Sequence, residues 1–443
     1  MFVMKFGGTS VKDAAAMDRA ARIVARRAGR APLVVVSAMS GVTSSLLEAA
    51  RLAGKGEREK AVGIVRRLRE QHLGLLDSLG PELDELDAAV EAAATAEGLT
   101  PELEDGVAAF GERLSSRIFA SRLGALLPTR HIDSRQCLVT DDRFSRANPL
   151  VEETRQRLDA HVCPHVAPGS AVVMGGYIGG TRDGRTSTLG RGGSDYSATI
   201  FGACLGAEEV EIWTDVDGMM TADPRVVPGA LTIRHISFAE ASELAYFGAK
   251  VLHPSTLLPA VTRGIPVRIL NSLKPEGTGT VITAEAPAGT NSVKSLASKR
   301  GITAVTITSS RMLMAHGFLR KIFEVFERHE TSIDVVTTSE VSVSLTLDDD
   351  DPLDAIRPEI EKWGTVHIER PLALICVVGS NLKDQPGIIA RIFGCIEDVN
   401  VRMISQGASH INLSFVVGAD RADEVIRRLH ERFFDSVDPE IFG

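Results

Sequence analysis

The sequence predicts an α/β protein: a three-layer αβα fold with a mainly parallel sheet, followed by two ferredoxin-like βαββαβ units. Three observations predict it. Leu33-Val34-Val35-Val36 and Ala171-Val172-Val173-Met174 are apolar at consecutive positions, the pattern of parallel strands covered on both faces. Loops rich in glycine and small residues follow both runs, at the strand ends where α/β folds bind ligands. After about residue 290 the chain changes to short alternating strands that repeat at offsets of 68 to 70 residues. There Gly317 to Phe323 matches Gly387 to Phe393, Ser332 to Val336 matches Asn400 to Ile404, and Val343 to Thr346 matches Ile411 to Ser414. Each copy reads strand, helix, strand, strand, helix.

The first ten residues organise the rest. Phe2, Val3 and Met4 form a short strand that ends in Lys5-Phe6-Gly7-Gly8-Thr9-Ser10. Adjacent glycines let the backbone approach a ligand, and free N–H groups at a helix start attract phosphate. Ser10 and Asp13 have the spacing of a capping box. The lysine precedes the glycines, so this is not a Walker loop. On these residues alone the segment is either a phosphate-binding turn or an ordinary tight turn.

Residues 44–127 are helical by pattern, with Pro81 and Pro101 each suited to the first turn of a new helix. Glu112 follows Gly111 near an apolar helix start, where the ordinary reading is a solvated glutamate. The strand at 171–174 opens into Gly175-Gly176-Tyr177-Ile178-Gly179-Gly180 and then Gly190-Arg191-Gly192-Gly193-Ser194-Asp195. Arg191 there offers a planar fork for a carboxylate or phosphate, and a helix is expected from Ser194 to Cys204. The strand Val210–Trp213 ends in Thr214-Asp215-Val216-Asp217-Gly218, with Arg225 further on. Two acids and an arginine at a strand end could contact nucleotide, Mg²⁺ or nothing. A helix is expected around 242–249, and a glycine-rich turn at 277–279 closes the first domain, at 1–285.

The first repeat has a closing strand, Thr365 to Glu369, whereas the second has none after its last helix. A spare strand precedes both, Val293-Lys294-Ser295-Leu296-Ala297. The expectation is therefore nesting: 293–299 plus 371–443 as an outer unit, with 300–370 inside it.

The chain has 443 residues, a length prior of about three domains. Apolar and charged contents of 44% and 24% are ordinary for a soluble globular protein. A formal charge of −9 opposes non-specific nucleic-acid binding. No apolar run reaches the ~18 residues of a membrane span, and the N-terminus lacks a signal-peptide pattern. The five cysteines are scattered and without a C-x-x-C, which predicts reduced thiols in a cytoplasmic protein. His161-Val162-Cys163-Pro164-His165 reads as a surface segment, and Asp348–Asp351 as a solvated turn, rather than as metal sites.

Taken together, Lys5-Phe6-Gly7-Gly8-Thr9-Ser10, Gly111-Glu112, Gly190–Asp195, Trp213-Thr214-Asp215 and Ala249-Lys250-Val251-Leu252-His253-Pro254 resemble the motifs of aspartokinases, in their order and over nearly the whole chain. The tandem repeat resembles the paired ACT regulatory domains of that family, and Met312 to Leu347 is most similar to its lysine-sensitive members. The resemblance implies the amino-acid-kinase fold and phosphorylation of the side-chain carboxylate of L-aspartate by ATP with Mg²⁺. That is the first step towards lysine, threonine and methionine. It places Lys5 at the transferred phosphoryl group, with Gly7, Gly8 and Thr9 donating beside it. Ser37 and Thr43 line the aspartate site; Glu112 holds the substrate ammonium and Arg191 its α-carboxylate. Ser194 and Asp195 position the aspartate and the lysine. Thr214, Asp215, Met220, Arg225 and Lys250 bind ATP, although Met220 stands where relatives often have an aromatic residue. The absence of a Ser–His or Cys–His arrangement is no objection, because a carboxylate nucleophile with a pKa of about 4 is already ionised.

For regulation, the resemblance implies an effector site for L-lysine formed by Met312, Phe318, Leu319, Ser332, Ile333, Asp334 and Ser339. Ala315 replaces a serine often found there. This site lies at a homodimer interface between ACT domains, within a dimer or a dimer of dimers. The alternative for these residues is a folding and dimerisation module. For the whole chain the alternatives are another kinase of the same first-domain fold, acting on acetylglutamate, glutamate or UMP, and a non-catalytic amino-acid sensor.

Overall fold

A computed structural model describes all residues except 248–252, 288–291 and 314–315. The chain divides into two compact units. The first comprises Met1–Met219, Arg234–Phe238 and Val251–Ala286; the second comprises Met220–Ile233, Ala239–Lys250 and Pro287–Gly443.

The first unit is built on an eight-stranded sheet. Its strands in chain order are β1 (Phe2–Phe6), β2 (Pro32–Val36), β3 (Thr129–His131), β4 (Ala171–Gly175), β5 (Val210–Thr214), β6 (His235–Ser237), β7 (Val267–Asn271) and β8 (Thr280–Thr283). They lie in the order β3-β4-β2-β1-β5-β7-β8-β6. The neighbours from β3 through β7 are all parallel, and β8 runs antiparallel to β7. β1, β2, β4 and most of β5 are fully buried, as their consecutive apolar residues require.

Alternation along β1 decides where Lys5 goes. Phe2, Met4 and Phe6 share a core with Met17, Leu46 and Phe119, and Phe6 stacks on Trp213 at 5.9 Å between ring centroids. Val3 and Lys5 face the other way. Helix Gly193–Leu205 covers that face, since a Cβ on Gly202 would stand 3.8 Å from Val3 Cγ2. As expected, Pro81 and Pro101 sit in the first turns of helices Gly80–Thr95 and Pro101–Ala108. The capping expectation at Ser10 is corrected. Residues Gly8–Val11 form a 3₁₀ turn, and the α-helix starts at Ala14 with Asp13 as its cap, accepting from Ala16 N at 2.8 Å. Ser10 Oγ instead meets Ser272 Oγ at 2.8 Å.

The second unit carries a six-stranded antiparallel sheet. Its strands are β9 (Val293–Thr308), β10 (Val336–Thr338), β11 (Ser342–Leu347), β12 (Thr365–Gly379), β13 (Met403–Gln406) and β14 (Asn412–Gly418), in the order β10-β11-β9-β12-β14-β13. β9 and β12 are long strands that each serve both repeats. The first half of β9 pairs with 372–379, and its second half pairs with β11 and with 365–369. The repeats thus share one sheet, with register shifts between Arg300 and Ala304 where one passes into the other.

Residues 220–233 and 239–247 differ from the expectation of a first domain running unbroken to 285, because they bond into the second unit. Leu296 N donates to Thr221 O at 2.8 Å, Ser295 Oγ to Met220 O at 2.7 Å, and Thr221 Oγ1 lies 2.9 Å from His430 Nε2. The helix at Phe238–Tyr246 is tied by a buried ion pair, Lys294 Nζ to Glu240 Oε2 at 2.9 Å. Among the described residues no helix is long and apolar enough to cross a membrane.

Candidate active site

The carboxyl ends of β1, β2 and β4 open into a cleft of about 520 Å³. Of the residues expected at a substrate site it is lined by Lys5, Gly8, Ser37, Thr43, Glu112, Arg191, Ser194 and Asp195. They come from four separate stretches of sequence. β1 delivers Lys5 and β2 leads into Ser37. Helix Phe110–Gly124 presents Glu112 in its first turn, and helix Gly193–Leu205 presents Ser194 and Asp195 in its own. That second helix is preceded by its cap Gly192, whose φ of +73° is the left-handed region glycine favours.

Lys5 Nζ lies 2.5 Å from Asp195 Oδ1, both side chains being largely buried. The ammonium is therefore fixed in place at the strand end. Gly7 N donates to Trp213 O at 3.0 Å, and Ser10 N to Gly7 O at 2.9 Å. Gly8 and Thr9 precede that first bond of the turn, so their N–H groups are not used by it, whereas that of Gly7 is engaged by Trp213.

Glu112 is 3% exposed, and its Oε2 has no hydrogen-bond partner. Burial is the largest influence on its carboxyl and pushes it up to about 8, against lowering by bonds with the Ala38 backbone and Ser194 and by the charge on Lys5. A buried acid with an unpartnered oxygen is complementary to an incoming cation. Arg191 lies exposed at the rim and makes no ion pair among the described residues.

Gly176 packs directly against Ser194, one of the lining residues. A Cβ there would stand 2.7 Å from Ser194 Cβ and 2.8 Å from Ser194 Cα, and the Gly176 backbone is held by its N–H to Val36 O at 2.8 Å. Gly176→Ala is expected to displace Ser194 and to destabilise the chain by about 1–3 kcal/mol. The checks are denaturant midpoint and substrate KM, and an unchanged midpoint and KM would refute the contact.

The expected nucleotide residues are less concentrated. Thr214 and exposed Asp215 end β5, with Thr214 Oγ1 donating to Asp215 Oδ1 at 3.2 Å. Asp217 is already held by Asn271 and by Lys274 Nζ, the latter at 2.6 Å. Met220 and Arg225 belong to the second unit; Arg225 is exposed and paired to Asp223 at 2.6 Å. Lys250 lies outside the described residues, as do most of its motif and Ala315.

Tyr177 is a lining residue that sequence reasoning missed. It is a non-glycine at φ 63°, its N–H donates to Ser197 Oγ at 2.9 Å, and burial pushes its hydroxyl up to about 12. A lone tyrosine between two glycine pairs was the available signal. A separate cavity of about 410 Å³ is lined by Arg113, Arg117 and His131 from the same helix and the β3 region. Those groups are engaged: Arg113 with Glu85 at 2.5 Å, Arg117 with Glu82, and His131 Nε2 with Ser116 Oγ at 3.0 Å.

In the second unit, Met312 and Ile333 pack against one apolar core that includes Phe318. Leu319 is exposed, as are Ser332 and Ser339, and Ser339 Oγ lies 2.7 Å from Ser342 Oγ. Asp334 accepts from the Tyr246 hydroxyl. The acidic turn at 348–351 is largely exposed, as expected, with Asp348 paired to Lys299 and Asp350 to Arg370 at the surface.

The fold and cleft define a small-molecule kinase, and the comparisons agree. Residues 1–271 match the amino acid kinase family, and residues 375–433 match an ACT domain. The chain is 39% identical to lysine-sensitive aspartokinase 3 of Escherichia coli (strain K12), covering 98% of this chain and 99% of that one. It superposes on the crystal structure of E. coli aspartokinase III in complex with lysine and aspartate (T-state) with a TM-score of 0.84, at 38% identity over 98% of this chain and 99% of that one. For the complex with aspartate and ADP (R-state) the TM-score is 0.80, at 38% identity over 98% and 100% of the two chains. The chain belongs to the aspartokinases, enzymes that phosphorylate aspartate.

Proposed function

We propose that this chain transfers the terminal phosphoryl group of ATP to the side-chain carboxylate of L-aspartate, giving 4-phospho-L-aspartate, in the Lys5–Asp195 cleft. The observation that carries the reading is Glu112: a buried carboxyl with one unpartnered oxygen, lining the same cleft as the Arg191 guanidinium. A buried carboxyl and a guanidinium in one cleft suit the α-ammonium and α-carboxylate of an amino acid. Ser37, Thr43 and Ser194 complete the substrate site. The substrate's own carboxylate is the nucleophile and is ionised, so the work left to the protein is alignment of two anions and neutralisation of their charge. Lys5, oriented by Asp195, meets the charge developing on the transferred group, and the Gly8 and Thr9 N–H groups add preorganised donors.

Thr214, Asp215, Met220, Arg225 and Lys250 are assigned to ATP on the resemblance alone. Arg225 exchanges Asp223 for phosphate in this reading. Mg²⁺ bound with the nucleotide would supply further neutralisation of charge at its phosphates. Such an ion needs only one or two protein carboxylates.

The second unit acts as the regulatory part, with 300–370 nested within 293–299 plus 371–443. L-lysine binds the former at Asp334 and its neighbours and inhibits, in a cytoplasmic homodimer or dimer of dimers. An inhibitor must bind the inactive state better, by the amount of the shift it produces.

The test is aspartate-dependent ADP formation with the acyl phosphate trapped as a hydroxamate. Turnover with aspartate, and none with glutamate or UMP, is expected. No hydroxamate from aspartate, or turnover with one of the other substrates in its place, would overturn the reading.

A further inference from the structure

Asp334 has an unusual set of neighbours. Its side chain is only 3% exposed, and Lys299 Nζ lies 3.9 Å from Oδ2. Its Oδ1 accepts from the Tyr246 hydroxyl, and its Oδ2 has no hydrogen-bond partner. Lys299 Nζ also sits 4.9 Å from the centre of the Tyr246 ring, a cation–π contact, and pairs with Asp348. An ammonium and a phenol from the chain itself thus flank the carboxylate that would receive the side-chain ammonium of a lysine. Tyr246 is the last residue of helix Phe238–Tyr246.

We infer that Tyr246 and Lys299 are an internal stand-in for the effector, which must displace the Tyr246 hydroxyl from Asp334 before its own ammonium can bind. This rests on the reading of Asp334 as an effector ligand. The consequence follows from population arithmetic: a site that is mostly closed by an internal contact binds more weakly, in proportion to the fraction that is open. A hydrogen bond to a charged carboxylate favours the closed form, but Tyr246 is 51% exposed and water competes for its hydroxyl. The same displacement frees the end of the helix, which leads in sequence directly to Gly248-Ala249-Lys250.

The experiment titrates L-lysine onto the full chain by calorimetry, for the parent, Tyr246→Phe and Asp334→Asn. Phenylalanine keeps the ring, including its edge contact with Phe247 at 5.0 Å, and removes only the competing hydroxyl. Tyr246→Phe is expected to bind lysine three- to about tenfold more tightly, and Asp334→Asn to lose binding. Unchanged or weaker binding by Tyr246→Phe, with Asp334→Asn inactive in binding, would overturn the stand-in while leaving the effector site in place. Full lysine binding by Asp334→Asn would remove the effector reading itself, and the stand-in with it.

Discussion

Lys5→Met lowers kcat by about three orders of magnitude or more, with a smaller effect on the KM for aspartate. The expectation follows from where the lysine stands. It is the buried cation at the end of the central strand, fixed 2.5 Å from Asp195 beside the two N–H groups that open the 3₁₀ turn. Stabilising the charge that develops on a transferring phosphoryl group is a transition-state interaction, so its loss appears in kcat. Methionine matches the lysine stem up to Cε and keeps its apolar contacts, which separates loss of charge from loss of packing. Asp195 is left without its cation, so Lys5→Met with Asp195→Asn serves as the control. If the single variant failed only through a stranded carboxylate, the double variant would recover turnover. Recovery, or a kcat within tenfold of the parent for Lys5→Met, would contradict the role given to Lys5.

Glu112→Gln raises the KM for aspartate by about 10²–10³, because a charge-assisted contact in a dry site is lost, and it also changes how the enzyme responds to pH. In the folded chain burial pushes the Glu112 carboxyl from 4.5 up to about 8. Between those values the folded chain therefore holds a proton that the unfolded chain has released. Its stability falls as pH rises through this window and levels off above it. Aspartate brings an ammonium to the carboxylate and draws the ionisation back down. Binding near pH 7 should thus release most of a proton, and kcat/KM for aspartate should climb about tenfold per unit of pH below the bend near 8. Calorimetry in buffers of different ionisation enthalpy measures the proton. Glutamine, which does not titrate, abolishes both the release and the slope. A slope that survives in Glu112→Gln would assign the titration to another group.

Much of this was legible in the sequence where the requirement is local. Consecutive β-branched residues announced β2 and β4, and glycine pairs announced the turns that end in the cleft. Counting strands placed 293–297 beside the second repeat, where it pairs with 376–379. What escaped depends on partners remote in the chain. The capping function moved from Ser10 to Asp13 because Ser10 is engaged by Ser272, 262 residues away. Residues 220–233 read as part of the first domain, yet Thr221 and Met220 bond to 295–296 and to His430. The merging of two repeats into one sheet depends on β9 and β12 continuing through a register shift, which short alternating patterns do not encode. Tyr177 was readable only as an oddity among glycines, since its place in the cleft is set by its bonds to Ser197 Oγ and to Leu189 N, 20 and 12 residues further on.

The most direct measurement of the central claim is a crystal structure with aspartate and a non-hydrolysable ATP analogue bound. The aspartate ammonium should lie against Glu112, its α-carboxylate against Arg191, and the terminal phosphate between Lys5 and the aspartate side chain. A terminal phosphate bound away from Lys5, or an aspartate turned so that its ammonium faces away from Glu112, would contradict the assignment.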